Sequence, residues 1–451
     1  MRSGEAAAHP SGAPEQGVSS QNRTGWEASR ISHPEVDVEG QQPLARPPGG
    51  VHRPSLRSTA AGVFSLVAFA ATGLVAGPAA GEPSAGPCAL PRTDAHHSLG
   101  LDTWNAAYPR PDRALDAVMV FLSFPDAAPL HGTRTIAADY FPDTADFFER
   151  ASYGRFTLRA EPRHGWLRMP RPSTAYAIQR DWAPDRRAAY LRDALAVADP
   201  VVDFSRYDIV YLVADPDAPG VDSDATKVVN LRTPLRADGR DIDRVVTLFE
   251  RHPPDRNVLA HETGHVFDLP DLYNRPVDGK GDWDTHVGDW DVMGSQFALA
   301  PEPFGWHKWK LGWLDEHQVR CVRRSETLTL QPLAAESGEG AVPGTRLAVV
   351  RTGPGTVLAV EARGAAGNDR ATCAEGVLVY RVRGATESGA GPVEVVDAHP
   401  LTEACRDRSV YPPLADAPLA EGESLTVQEE GVRVEVLYRT AAGGWTVRIT
   451  P

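Results

Sequence analysis

The eleven residues from His261 to Asp271 constrain this 451-residue chain more than any other feature of its sequence. They contain the pattern H-E-x-x-H, followed by an aspartate six residues after the second histidine. On a helix, His261 and His265 are one turn apart, so both imidazoles leave the same face and can bind one metal ion. A turn after the helix could bring Asp271 back as a third ligand. Two nitrogens, one carboxylate oxygen and an open fourth position predict a catalytic zinc site, with Glu262 beside it.

The residues around the motif predict a helix and its orientation. Pro253-Pro254-Asp255 is a helix start signal, and Leu269-Pro270 is a stop signal. Leu259 and Val266 are seven residues apart and share a helix face roughly opposite the two histidines. This pattern favours histidines that face a cleft over the alternative, in which they are solvated or lie in the core without a metal.

With these residues, the sequence resembles the immune inhibitor A-like secreted metallopeptidases, a family of metzincin-like zinc proteases. Five segments between residues 114 and 320 carry the likeness: His261–Tyr273, Trp290–Ser295, Pro303–Trp313, Phe121–Asp126 and Ala151–Arg155. The resemblance implies zinc ligands at His261, His265 and Asp271. It also implies a general base at Glu262 and a Met-turn at Met293 beneath the site.

The motif departs from the family pattern at one position. Metzincin-like motifs have glycine three residues after the second histidine, where the chain turns sharply, whereas this chain has Asp268. Aspartate tolerates a left-handed backbone better than most residues, so we expect the turn to persist, with a second carboxylate near the metal. Asp271 is preferred as the third ligand because of its spacing. Tyr273 is either an oxyanion donor or a packed turn tyrosine, and His286 and His307 are lesser ligand candidates.

These residue types predict a secreted zinc-dependent endopeptidase that hydrolyses peptide bonds through a zinc-bound water activated by Glu262. Its expected partners are protein or peptide substrates. The alternative is a catalytically weak or inactive protein with a protease fold that acts as an extracellular binding module. Asp268 favours this alternative, whereas an intact Glu262 favours an enzyme. With 46 basic and 60 acidic residues, the chain has no charge signature of nucleic-acid binding.

The first 80 residues predict an exported protein. Residues 1–50 lack apolar periodicity, which is typical of a disordered extension. Because the signal peptide predicted for residues 51–80 normally begins a chain, an untranslated extension is the alternative. Residues 51–80 contain two arginines, an apolar run and a small-residue stretch, in the order of a signal peptide. A signal anchor is the alternative, but the run is short and rich in alanine and glycine. We therefore expect a secreted protein without stable membrane association, in which residues 81–110 are a linker or short pro-segment.

Four cysteines agree with export and predict two disulfides. Several pairings are open, and we favour Cys88 with Cys321 and Cys373 with Cys405. A different role for Cys88 is a thiolate that occupies the zinc in a latent form. That role would leave one cysteine without a partner, so the disulfide is preferred.

Two acidic loops suggest calcium as a second cofactor. Their carboxylates are hard oxygen ligands near glycine, although neither loop has EF-hand spacing. Solvated acidic loops without a metal are the commoner alternative. The residues are Asp215, Asp217, Asp222 and Asp224 in the first loop, and Asp278, Asp282, Asp284 and Asp289 in the second.

Hydrophobic periodicity predicts two domains. Before the motif, helices and strands alternate, which predicts a twisted mixed sheet backed by helices. The predicted strands are Val118–Leu122, Phe156–Leu158 and Tyr207–Val213, and the predicted helices are Asp143–Arg150 and Arg186–Ala198. After Trp313, short apolar runs separated by turn residues predict a β-sandwich. With the resemblance, this gives an α+β metzincin-like zinc protease domain at 111–320, followed by a C-terminal all-β sandwich domain at 321–451.

Overall fold

The computed structural model describes residues 86–276, 281–334 and 344–451. The predicted N-terminal extension and signal peptide, together with Asp278 of the second acidic loop, lie outside these residues. Within them, a region of mixed α/β structure is followed by a region of β-strands. None of the helices in these ranges is long and apolar enough to cross a membrane.

A five-stranded sheet organises the first region. Its strands are β1 (Ala114–Ser123), β2 (Thr157–Arg168), β3 (Ile209–Ala214), β4 (Lys227–Ala237) and β5 (Arg240–Leu248). Their order in the sheet is β2-β1-β3-β5-β4. β1, β2, β3 and β5 are parallel, and β4 runs antiparallel along one edge. The mixed sheet predicted from the alternation of elements is confirmed.

Helices lie on both faces of this sheet. In the described residues they are α1 (Thr133–Tyr140), α2 (Asp143–Ala151), α3 (Ser173–Tyr176), α4 (Pro184–Ala198), α5 (Val258–Val266) and α6 (Gly305–Lys310). The predicted helices at 143–150 and 186–198 are confirmed as α2 and α4. The motif helix, α5, begins at Val258 rather than directly after Asp255. Asn257 has a left-handed backbone (φ 58°), which a right-handed helix cannot contain, so α5 starts only after it.

The central strands are apolar along most of their length because the sheet is covered on both faces. Successive side chains of a strand point to opposite faces. Met119 and Phe121 of β1 therefore belong to one core, and Val118 and Val120 belong to another. The first core also contains α2 and α5, whereas the second contains α4. The motif helix thus packs against the sheet face that carries α2.

Two further sheets form the second region. Their strands are β6 (Val319–Cys321), β7 (Glu326–Leu330), β8 (Leu347–Arg351), β9 (Thr356–Arg363), β10 (Gly376–Arg383), β11 (Val393–Val395), β12 (Ser424–Val427), β13 (Val432–Arg439) and β14 (Trp445–Thr450). The sheet orders are β11-β10-β9-β8-β6 and β12-β13-β14-β7. Val360 of the first sheet and Val434 of the second share one apolar core, as two packed sheets require. The predicted β-rich second region is confirmed.

The five-stranded sheet of the second region also buries its other face. Val349, Ala359 and Tyr380 point away from the core between the two sheets and into the core that contains α5. Trp306 of α6 lies in the same core. The two regions therefore share a continuous apolar interior, and the second region helps to fix the position of the motif helix.

Two disulfides link Cys88 to Cys321 and Cys373 to Cys405, which is the pairing favoured from the sequence. The first disulfide ties residues 86–112, here called the N-terminal segment, to the end of β6. Apolar side chains of this segment are buried in the core that contains α5. Because Cys88 is bonded to Cys321, its thiolate is not free to act as a metal ligand.

Candidate metal centre

Three side chains of the motif converge beside α5. His261 and His265 leave the helix one turn apart, with ring centroids 4.9 Å from each other. Their Nε2 atoms lie 3.4 Å and 3.0 Å, respectively, from Oδ1 of Asp271. In the part of the chain that the structure describes, no other group of three such side chains brings its ligand atoms together. The three residues predicted as ligands from their spacing are therefore neighbours in space.

Backbone carbonyls orient both imidazole rings. Nδ1 of His261 lies 2.8 Å from the carbonyl oxygen of Val292, and Nδ1 of His265 lies 2.8 Å from that of Leu269. A carbonyl oxygen only accepts hydrogen bonds, so each Nδ1 carries the proton and each neutral Nε2 presents a lone pair. With the Asp271 carboxylate, three acceptor atoms then meet without a donor, and such a group needs a proton or a metal ion between its members.

The pKa shifts of the clustered residues also indicate that a proton or a metal ion lies between them. Burial opposes ionisation, but the two histidines hold the pKa of the Asp271 carboxyl well below its usual value. Burial also opposes protonation of His265, yet the carboxylates of Asp271 and Glu262 raise the pKa of its imidazole to about 9. At neutral pH, a proton on His265 therefore supplies the positive charge in the metal-free chain. A metal ion would replace that proton.

Glu262 is the acidic residue closest in sequence to the two histidines. It is buried, and the backbone of Val228 lies close enough to its carboxyl to lower the pKa of that group slightly. Its Oε2 has no hydrogen-bond partner among the described residues. Burial raises the pKa of this carboxyl, against the pull of the two histidines. A buried oxygen without a partner is costly, so it indicates a site for a water or a substrate group.

The chain leaves α5 through a tight turn. The N–H groups of Asp268 and Leu269 donate to the carbonyls of His265 and Gly264 at 3.2 Å and 3.1 Å. This is the Schellman arrangement, which requires a left-handed residue directly after the C-cap. Asp268 takes that conformation, with φ 63°. The turn expected in place of the family glycine is thus present.

The carboxylate of Asp268 pairs with two cations and a neutral histidine instead of joining the cluster. It lies 2.9 Å from Nη1 of Arg92, 3.1 Å from Nδ1 of His97 and 3.2 Å from Nζ of Lys310. The ring of His97 also stacks on that of His265, with centroids 5.5 Å apart. Asp268 therefore fastens the N-terminal segment beside one of the candidate ligands.

Met293 packs against α5 at Gly264, one residue before His265, where a Met-turn was expected. A Cβ atom added to Gly264 would lie 2.3 Å from Sδ of Met293, so the helix and this side chain are in close contact. The carboxylate of Asp291 accepts hydrogen bonds from the N–H of Met293 at 2.8 Å and of Phe304 at 2.7 Å. It also pairs with Nδ1 of His307 at 2.9 Å. These contacts give His307 a structural role under the site.

Tyr273 lies next to Asp271. Burial, together with the nearby Asp271 carboxylate, raises the pKa of its phenol. Its ring packs against Trp283, with centroids 5.3 Å apart. The other candidate histidine, His286, contacts Gly391 and accepts a backbone hydrogen bond from Val395. His286 thus packs against the second region.

The acidic loops do not gather their carboxylates within the described residues. In the first loop, Asp222 accepts a hydrogen bond from the N–H of Asp224, as a local turn does. In the second, Asp289 accepts hydrogen bonds from the N–H groups of Leu299 and Val410. These contacts are structural, and the expectation of calcium gains no support from them.

Sequence reasoning missed Ser388, Arg92 and His97. Ser388 hydrogen-bonds to Asp271 although 117 residues separate them. Arg92 and His97 reach Asp268 across 176 and 171 residues, respectively. No spacing pattern links positions so far apart, and only the paired cysteines hinted that the N-terminal segment returns to this part of the fold.

Comparison with known proteins adds no family to these observations. No family model matches this sequence, and a search of curated proteins finds no match. The resemblance described above therefore depends on the motif segments alone and stays a prediction.

Proposed function

We propose that this protein is a secreted zinc-dependent endopeptidase of the metzincin-like type. The observation that carries the proposal is the meeting of three acceptor atoms, from His261, His265 and Asp271, beside the unpartnered carboxylate oxygen of Glu262. Two disulfides favour an oxidising, extracellular setting. Protein or peptide substrates are the partners that this proposal implies.

The donor set fits zinc in both chemistry and spacing. Two imidazole nitrogens and one carboxylate oxygen are ligands of catalytic zinc sites that keep a fourth position open. Tetrahedral bonds of about 2.1 Å separate ligand atoms by roughly 3.4 Å. The Nε2 atoms of His261 and His265 lie 3.4 Å and 3.0 Å from Oδ1 of Asp271. When bound, zinc would act as a Lewis acid toward a water molecule and a peptide carbonyl.

Glu262 is the residue that can move the proton. Its raised pKa suits a group that takes a proton from the attacking water and then gives it to the leaving amine. Neither His261 nor His265 is suited to this task, because each Nδ1–H is held by a carbonyl and each Nε2 faces the cluster. In this proposal three residues therefore bind the metal ion, and Glu262 transfers the proton.

Strand β4 offers a place for an extended substrate. It is the outer strand of its sheet, so one side of its backbone is not paired within the sheet. The backbone of its second residue, Val228, lies beside the carboxyl of Glu262. A peptide that added to this edge as a further strand would pass the carboxylate with residues on both sides of the bond to be cut. This geometry favours an endopeptidase over an enzyme that trims chain ends.

The alternative function, an inactive binding module, depended on Asp268. This residue adopts the left-handed turn, and its carboxylate pairs with Arg92, His97 and Lys310. The substitution of the family glycine therefore no longer indicates a damaged site. We retain the enzyme as the proposal because no other feature of the described site favours the alternative.

Zinc content and casein hydrolysis of three variants test the proposal. Glu262→Gln should keep zinc but lower the hydrolysis rate about 100-fold or more, because the proton carrier is lost. Asp271→Ala should lose zinc as well as activity. Glu375→Gln changes a carboxylate that pairs with Arg439 in the second region and should behave as wild type. Casein hydrolysis by Glu262→Gln at the wild-type rate, or a wild-type protein that takes up no zinc, would refute the proposal.

A further inference from the structure

We propose that Ser388, in the loop between β10 and β11, is a positioning residue that orients Asp271 for metal binding. This inference rests on the proposed function, and it makes the second region part of the active site. Ser388 lies in a half-buried position. Its side chain contacts Asp271 through both the carboxylate and the backbone of that residue.

In these two contacts the hydroxyl acts once as a donor and once as an acceptor. The Ser388 hydroxyl donates to Oδ2 of Asp271 at 3.1 Å and accepts from the N–H of Asp271 at 2.8 Å. The other carboxylate oxygen, Oδ1, faces His261 and His265. The carboxylate thus has one oxygen toward the candidate metal position and one fixed from behind. Partners of this second kind orient metal ligands and tune their affinity.

The backbone near Ser388 reinforces this arrangement. The N–H of Gly389 donates to the carbonyl of Asp271 at 3.0 Å, and the N–H of Arg275 donates to the carbonyl of Gly389 at 3.1 Å. Asn274 and Ala390 form an antiparallel bridge. Asp271 lies beyond the end of α5, where the helix no longer holds it. The loop between β10 and β11 therefore supplies backbone hydrogen bonds that hold residues 271–275 in place.

The loop is itself held in place from two sides. The carboxylate of Glu387 accepts from the N–H of His96 at 2.9 Å, and the carbonyl of Gly384 accepts from the hydroxyl of Thr93 at 2.8 Å. A Cβ atom on Gly391 would lie 2.9 Å from the ring of His286, so the chain passes this ring closely. The N-terminal segment and His286 thus fix the loop that carries Ser388 before any metal arrives. A fixed partner costs little entropy when the metal binds.

Zinc affinity of the full-length mature chain is the measurement that tests this role. Ser388→Ala removes the donor to Oδ2 and leaves the N–H of Asp271 without its acceptor. The zinc dissociation constant should rise about 10-fold to 100-fold, as for other lost partners of metal ligands. Ser388→Thr keeps the hydroxyl and should bind zinc nearly as wild type does. Competition with a chromogenic chelator gives the constants, and thermal melting of the metal-free proteins shows whether each variant folds.

Ser409→Ala is the matched control. Ser409 also lies in a loop of the second region, and its hydroxyl donates to Asp289, away from the cluster. This variant should leave zinc affinity unchanged. If Ser388→Ala does not fold, Ser388→Val and Ser388→Thr replace it as a pair of equal shape that differs only in the hydroxyl.

The outcomes separate the two proposals. If wild type binds zinc and the dissociation constant of Ser388→Ala is within twofold of the wild-type value, the role of Ser388 alone is overturned. The same holds if Ser388→Val and Ser388→Thr differ by less than twofold. Wild type that takes up no zinc would overturn the proposed function, and the role of Ser388 with it. A loss of affinity in Ser388→Ala that Ser388→Thr restores, with Ser409→Ala unchanged, supports the inference.

Discussion

The buried carboxylate of Asp268 gives the strongest prediction about stability, through the variant Asp268→Asn. Asparagine has nearly the same shape and also tolerates a left-handed backbone, so the turn at φ 63° should remain. The negative charge is removed, and one of the two acceptor oxygens becomes an NH2 donor. Arg92, His97 and Lys310 then lose their shared partner. The variant therefore isolates the charge of Asp268 from its conformation.

The size of the effect follows from the pKa of Asp268. Burial opposes ionisation, but the hydrogen bond from His97 and the charges of Lys310 and Arg92 lower the pKa of the carboxyl from 3.8 to about 2. At neutral pH this difference corresponds to about 2 kcal/mol of stability. The buried ammonium of Lys310 loses its counter-charge as well, although it keeps a bond to the Asp268 carbonyl. We expect a total loss of about 2–4 kcal/mol.

Urea unfolding of the metal-free proteins at pH 7 measures this loss. The exposed pair of Asp241 and Arg236 supplies a control, since Asp241→Asn should cost less than about 1 kcal/mol. Because the folded pKa of Asp268 is lowered, its contribution is complete above pH 4 and disappears as the pH falls toward 2. The gap between wild type and Asp268→Asn should therefore be equal at pH 7 and pH 5, and smaller at pH 3. An Asp268→Asn protein as stable as wild type at pH 7 would refute this reasoning.

Two further predictions concern the cluster and its support. Because the pKa of the metal-free His265 imidazole is about 9, zinc competes with a proton, and its apparent affinity should fall about tenfold for each pH unit below that value. Chelator competition between pH 7 and pH 8 measures this, and a flat profile would contradict it. Gly264→Ala places a Cβ atom 2.3 Å from Sδ of Met293 and should cost about 1–3 kcal/mol in urea unfolding. Met293→Ala in the same chain should recover part of that loss, and additive losses would argue against the contact.

The sequence predicted elements whose pattern is local. The apolar run at 118–122 lies within β1, and the amphipathic stretches at 143–150 and 186–198 are helices α2 and α4. The motif helix begins a few residues after the start signal at Pro253-Pro254-Asp255, because Asn257 takes a left-handed backbone, which depends on how the loop before α5 packs. The boundaries of such loops are set by tertiary contacts rather than by the residues in them.

In the candidate site, too, the sequence predicted the residues whose arrangement is local and missed those brought together by tertiary packing. His261, Glu262 and His265 are brought together by the helix repeat, which the sequence alone determines. The left-handed turn at Asp268 was expected from the resemblance to metzincin-like motifs, which have glycine at this position. Ser388 could not be found, because its contact with Asp271 exists only once the second region has packed on the first.

The place of Asp268 shows how a departure from a family pattern can be compensated. Glycine at this position needs no side-chain partners, whereas a buried aspartate needs positive charge around it. Arg92 supplies such a charge and His97 a hydrogen bond from the N-terminal segment, which the disulfide between Cys88 and Cys321 attaches to the second region. The same segment holds the loop that carries Ser388. Asp268 therefore binds the N-terminal segment, and this segment also supports the third candidate ligand, Asp271. The stability of the turn is thus coupled to the geometry of the cluster.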